Sequence, residues 1–378
     1  MDIDKSEDRY LLAGSHDGNI SLYDLHSPSK YSALEQEALE ALGHFRSCRK
    51  PIRPRHTSSR VVGGNALGHT ASISGIQWYA VDNGIFVSSG LDGRILVWDA
   101  QAFEVAFAFN QQARIQSISM HPQRALCAAA TMNTVLLCDI ATGASTHTLV
   151  GHGGTVSALH WCPSIEFELT TASHDGTLRL WDIRKSGSHA CVATLHCRTP
   201  PPTSSVLAPN AYAHLQRVTG YGAAMAHLQY TQDGQSLVSL DIHGDLVYWD
   251  RTAATQFKPR PASFLGEGKT LQSNPTRTLL VTPLNRIWMA SATSNNLLGY
   301  DLVQTGGRPR RILQGHLAPI SSLAWQSSTH TLWSASQDGM ILAWGYQRPH
   351  APTKPLPTLL STKPMFHTLT TDQDWWDL

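Results

Sequence analysis

Gly266-Glu267-Gly268-Lys269-Thr270 offers the glycines, lysine and hydroxyl with which a phosphate-binding loop ends. That chemistry also needs a leading glycine at 263 and an unbroken helix behind it, so that backbone N–H groups cradle the phosphates. Ser263 and Pro275 stand in those places, which argues against nucleotide binding. The 19 histidines could ligate a metal or act as bases. None lies in a His-Glu-x-x-His pattern or a Cys/His cluster, and no Gly-x-Ser-x-Gly elbow presents a nucleophile. The sequence therefore assigns no catalytic residue, cofactor or metal ligand, and the chain is expected to be non-catalytic.

Three histidines recur in a fixed frame instead. Gly151-His152 leads to Ser173-His174-Asp175-Gly176 and then to Trp181-Asp182. Gly68-His69 leads to Asp92-Gly93 and Trp98-Asp99, and Gly315-His316 to Asp338-Gly339 and Trp344. The Asp follows the Gly-His pair by about 23 residues, and the Trp follows the Asp by six. This spacing suits a hydrogen-bond relay. Asp175 accepts from His152, whose other nitrogen reaches Ser173, whose hydroxyl reaches the Trp181 N–H. A buried carboxylate and a buried indole both need such partners. His316, Ser336, Asp338 and Trp344 repeat the relay. His69, Asp92 and Trp98 have Gly90 where the hydroxyl should be, so that copy is expected to be incomplete.

The elements that hold these groups follow from the same ruler. Asp17 precedes Tyr23-Asp24 by six residues, Met132 precedes Cys138-Asp139, His243 precedes Trp249-Asp250, and Ser294 precedes Tyr300-Asp301. With the three fuller copies this gives seven units, each a four-stranded blade that cannot bury its own faces and must stack radially. The expected fold is all-β, a seven-bladed WD40-type β-propeller over residues 1–346. Blades three, five and six are expected to lack the relay.

Departures from the period mark an insert (27–66), a loop (185–219) holding Pro200-Pro201-Pro202, and a tail (347–378). The insert carries Arg46, Arg49, Lys50, Arg53, Arg55 and Arg60 without an acid among them; this reads as a solvated loop before a phosphate-binding patch. The tail is Pro-rich and ends Asp372-Gln373-Asp374-Trp375-Trp376-Asp377-Leu378, suited to docking back on the propeller or to a short linear motif. With 15% charged residues and a net charge of +1, no global field points to nucleic acid or membranes. Cys48, Cys127, Cys138, Cys162, Cys191 and Cys197 form no Cys-x-x-Cys pair, and Cys127, Cys138 and Cys162 fall in strand patterns as small core residues. No apolar run approaches 18 residues, so a soluble intracellular protein is expected.

Blade four closes with Leu178-Arg179-Leu180-Trp181-Asp182-Ile183-Arg184. The Arg just past the strand would project from the narrow face opposite the relay turns, free to fork onto carboxylates or carbonyls of another protein. It could equally be an ordinary surface arginine.

Several segments together resemble the Cockayne syndrome group A family, WD40 substrate receptors of cullin-4 RING ubiquitin ligases. They are Arg9-Tyr10-Leu11 through Asp17-Gly18 to Leu22-Tyr23-Asp24-Leu25, Gln77-Trp78-Tyr79 with Val97-Trp98-Asp99, and the degenerate blade ending Leu137-Cys138-Asp139. Thr171-Ala172-Ser173 with Leu180-Trp181-Asp182-Ile183-Arg184, Ile341-Leu342-Ala343-Trp344 and the acidic, Trp-containing terminus complete the set. The resemblance implies a nuclear, non-catalytic ligase subunit acting in transcription-coupled nucleotide excision repair. Trp181, Asp182 and Arg184 would hold the large damaged-DNA-binding adaptor of cullin-4 ligases. The top face would hold a Cockayne syndrome group B-type repair ATPase and RNA polymerase II-associated repair factors. Direct nucleic-acid contact is not expected.

The resemblance departs at the start. Family members carry a helix ahead of blade one that inserts into the adaptor, whereas Met1-Asp2-Ile3-Asp4 already falls in the first strand of blade one. A shortened start or a weaker grip would follow, and residues from 351 onwards are expected to supply the strand that closes the ring. The other reading of the whole chain is a generic WD40 scaffold in a chromatin or RNA-processing complex.

Overall fold

The computed structural model describes residues 1–25, 44–45, 68–185, 187–196, 224–260, 278–301 and 309–345, apart from positions 243, 245, 254, 284–285 and 292–294. Two compact units divide the chain, Met1–Gly345 and Tyr346–Leu378. The described part of the first is nearly all strand and forms seven antiparallel sheets, the blades of a seven-bladed β-propeller. His243, Ser294, Cys48, Cys197, the basic run, the 266–270 segment and the tail tryptophans lie outside the described residues.

Burial follows each strand's place in its blade. The second strands of blades four and five, Glu168–Ser173 and Ser236–Asp241, are buried at every position. They are sandwiched by neighbouring blades on both faces, which is why Leu, Val, Thr and Ser run through them without polar alternation. The fourth strand of blade three, Ala144–Val150, is exposed at every position except Leu149. In the cores, Leu169 and Trp181 of blade four pack on Val135 and Leu137 of blade three, while Leu180 packs on Leu228 and Trp249 of blade five. No blade could bury its faces alone.

Adjacent blades are also latched near the axis by side chains that cap the next blade's backbone. Asp2 accepts from the Trp78 N–H at 2.8 Å, Gln77 from Met120 N–H at 2.6 Å, and Gln229 from Val281 N–H at 2.9 Å. The Met1 amine reaches Ser322 of blade seven at 2.8 Å. Ile3 and Leu11 pack on Ala324, Trp333 and Ile341, joining blade one to blade seven.

Closure differs from the expectation. Among the described residues blade one has three strands, Asp2–Ile3, Tyr10–Gly14 and Ile20–Asp24. The fourth strand of blade seven is His44–Phe45, in register Ile341↔Phe45 and Leu342↔His44. The strand seen on that edge thus comes from the long connection after blade one, whereas the residues from 351 onwards, expected to supply it, lie outside the described residues. Two residues with no flanking alternation carry no periodic signal, so this strand is invisible to a pattern search.

Candidate interaction face

The relay residues sit at one end of the blades, where the turn between second and third strands meets the loop entering the first. Gly176 takes φ +78°, the left-handed conformation that turn requires. His152 Nδ1 lies 2.9 Å from Asp175 Oδ2, and the Gly153 N–H also donates to that oxygen. Burial works to raise the Asp175 carboxyl, but hydrogen bonds from His152, Thr177 and Gly153 outweigh it and hold it well below the usual carboxylate range.

The hydroxyl of the relay is not the one the spacing suggested. His152 Nε2 is 2.7 Å from Thr171 Oγ1, and the Trp181 indole donates to the same oxygen at 2.8 Å. Ser173 instead accepts from the Asp175 N–H at 3.2 Å, bracing the turn. In blade seven Ser334 takes the role, 2.7 Å from His316 and 2.8 Å from Trp344, while Asp338 receives His316 at 3.3 Å. Ser336 donates to the Ala318 carbonyl at 2.8 Å. Positions 171 and 173 lie on one side of their strand, because side chains alternate with period two. The indole reaches only the nearer of the two.

The same two-residue shift completes blade two. Ser88 lies 2.8 Å from His69 Nε2 and 2.7 Å from the Trp98 indole nitrogen, with His69 Nδ1 3.1 Å from Asp92. The expected gap at Gly90 is no gap; a Cβ there would come within 2.6 Å of both His69 Nδ1 and Asp92 Oδ1. Blade five, expected to lack the relay, keeps the Trp249–Ser239 half at 2.9 Å. All three imidazoles are buried within these bonds, so the relays fix the shape of the loops at this end.

Arg184 occupies the opposite end. It follows the third strand of blade four, Thr177–Asp182, and turns from first to second strand open at that same end. Its Nε donates to Asp182 Oδ1 at 2.9 Å and its Nη2 to Oδ2 at 2.8 Å. Arg184 holds the Asp182 carboxyl below its ordinary range. The Arg184 side chain remains 63% exposed. Trp181 is 1% exposed, so of the three residues expected to grip a partner only Asp182 and Arg184 can touch one. The fork foreseen for a foreign carboxylate is already filled by the chain's own.

The WD domain, G-beta repeat family profile matches residues 64–99, 143–182 and 307–345, the three blades with full relays. The propeller carries WD40 repeats. Over 91% of its length this WD40 propeller is 24% identical to the WD repeat-containing protein ATCSA-1 of Arabidopsis thaliana, spanning 84% of that protein. Over 32% of its length it is 34% identical to the ribosome biogenesis protein WDR12 homolog of Chlamydomonas reinhardtii, 29% of that protein. Among solved structures, the Cps50 (Swd1) β-propeller domain of Myceliophteria thermophila superposes with a TM-score of 0.63. That match covers 91% of this chain and 96% of that one at 14% identity, a likeness of fold alone.

Proposed function

We propose that this WD40 propeller is the substrate-recognition subunit of a cullin-4 RING ubiquitin ligase acting in transcription-coupled nucleotide excision repair, in the nucleus. It is a non-catalytic subunit in this reading. The observation that carries it is Arg184, exposed beyond the Trp181-Asp182-Ile183-Arg184 strand end and locked in one geometry by Asp182. A preorganised arginine at the surface suits an interface, because little side-chain entropy remains to be lost on binding. The likeness to ATCSA-1 across nearly the whole chain supports the same assignment.

In this arrangement the face bearing Arg184 docks on the large damaged-DNA-binding adaptor. The relay face, with its loops fixed by buried hydrogen bonds, receives a Cockayne syndrome group B-type ATPase and other repair factors. The alternative is a scaffold in an RNA-processing or ribosome-biogenesis complex, favoured by the local similarity to the WDR12 homolog. The two readings separate on one experiment. Purified chain should bind the purified cullin-4 adaptor with submicromolar affinity, and Arg184→Glu should remove that binding without unfolding the propeller. A scaffold of the other kind would not bind the adaptor at all.

A further inference from the structure

Arg184 is half of a larger assembly. Its guanidinium carbon sits 4.9 Å from the centre of the Phe167 ring, and that of Arg124, from blade three, sits 4.8 Å from the same centre. Arg124 is itself paired: its Nε donates to Glu166 Oε1 at 2.6 Å and its Nη2 lies 2.5 Å from that oxygen. One aromatic ring therefore carries two arginines from adjacent blades, each already holding a carboxylate of this chain.

The base of this platform is buried and fixed. His121, 1% exposed, accepts from the N–H groups of Gln123 and Arg124 through Nδ1, both at 3.0 Å. Its Nε2 donates to the Glu166 carbonyl at 2.8 Å. One imidazole thus locks the Arg124 turn of blade three to the Glu166-Phe167 turn of blade four. Neither surface ion pair contributes much to folding, since in an exposed pair solvent screening and lost side-chain freedom offset the attraction. Holding two arginines in a fixed relation is what the arrangement does achieve.

We infer that Arg124, Phe167 and Arg184 form a single recognition surface for uncharged backbone acceptors, such as the carbonyls at the end of a partner helix or turn. The reason is chemical. Each guanidinium has five N–H donors, and the own-chain carboxylates Glu166 and Asp182 take the Nε edge of each. The outer edge of each remains to donate, while the charge of each guanidinium is already matched by its own carboxylate; Lys185, beside Asp182, adds a cation outside these two pairs. An acidic partner would meet Glu166 and Asp182 as well and gain little; a carbonyl has only the donors to meet. This inference rests on the ligase-receptor reading, with the adaptor as the occupant.

The test uses the full chain and the purified adaptor in a binding titration, at low and at high salt. Phe167→Leu keeps apolar bulk but removes the ring face, and Arg124→Gln keeps a polar side chain but removes the cation; each should weaken binding about five-fold or more with unchanged thermal melting, in line with the size of cation–ring contacts. Affinity should change less than about three-fold as salt rises, because both platform guanidiniums are already paired with carboxylates of their own chain. Wild-type binding that both variants retain would overturn the platform and leave the receptor reading standing. A steep salt dependence would overturn the carbonyl chemistry. Absence of binding by the wild-type chain would overturn both.

Discussion

Arg251 of blade five forks onto Glu168 of blade four, with Nη2 2.6 Å from Oε1 and Nη1 3.0 Å from Oε2. The Tyr230 hydroxyl donates to the same Glu168 oxygen at 2.6 Å, and the Arg251 guanidinium lies 4.6 Å from the Phe257 ring centre. Both charged side chains are nearly buried, so this is an inter-blade bond of a different class from the surface pairs at Arg124 and Arg184. Removing one partner of a buried pair strands the other charge, at a cost of about 3–5 kcal/mol. Glu168→Ala or Arg251→Met should each lower the thermal midpoint sharply. The double variant should lose much less than the sum, measured by calorimetry on all four forms.

The relay hydroxyls can be told from their neighbours by substitution. Thr171→Val and Ser334→Ala each leave a buried imidazole nitrogen and an indole N–H without their shared oxygen, so a loss of about 1–3 kcal/mol apiece is expected. Ser336→Ala removes a bond to the Ala318 carbonyl and a longer one from the Asp338 N–H, neither of which serves the imidazole or the indole, and should cost less. Equal losses at 334 and 336 in chemical denaturation would contradict this order.

Gly90→Ser, which a consensus argument would recommend, should destabilise. The added Cβ would approach His69 Nδ1 and Asp92 Oδ1 to within 2.6 Å, and blade two already has its hydroxyl in Ser88. A rise in melting temperature would show that the turn can relax around it.

Acid sensitivity has a defined window. Burial pushes His160 and His227, on the first strands of blades four and five, down to about 4 from an ordinary value of 6.5. The folded chain therefore holds them neutral where the unfolded chain is protonated. The stability they contribute is full above about pH 6.5 and declines as the pH falls towards 4. Replacing both with Gln should flatten the dependence of unfolding free energy on pH across that interval. An unchanged slope would assign it elsewhere.

How far could the residues alone be read? The count of seven blades was legible because Asp-to-Trp spacing survives even where the Asp is replaced by Met132 and the Trp by Cys138. The relay's imidazoles and carboxylates were legible for the same reason. Its hydroxyls were not: two positions on one strand face differ only by one step along the strand, and spacing cannot say which the indole reaches. Phe167 and Arg124 left no trace either. They sit in turns of two different repeats and meet only after the blades stack, a juxtaposition that no periodicity within one repeat encodes. Trp181 was half legible, correctly placed in the relay but wrongly lent to the interface, because a single conspicuous motif holds one residue facing in and two facing out.

The His44–Phe45 clasp gives the molecule a temporal order. Its strand leaves the ribosome with blade one, yet the partner that it pairs with, Ile341-Leu342, is made nearly last. Until then the first and last blades are separated by most of the chain, and the contacts between them carry the largest sequence separations in the fold. The nascent protein is thus an open stack with two exposed ends, and it becomes a ring in one late step. A chain cut short before Ala324 would lack Ala324, Trp333 and Ile341, leaving that end of the stack uncovered and Ile3 and Leu11 facing water.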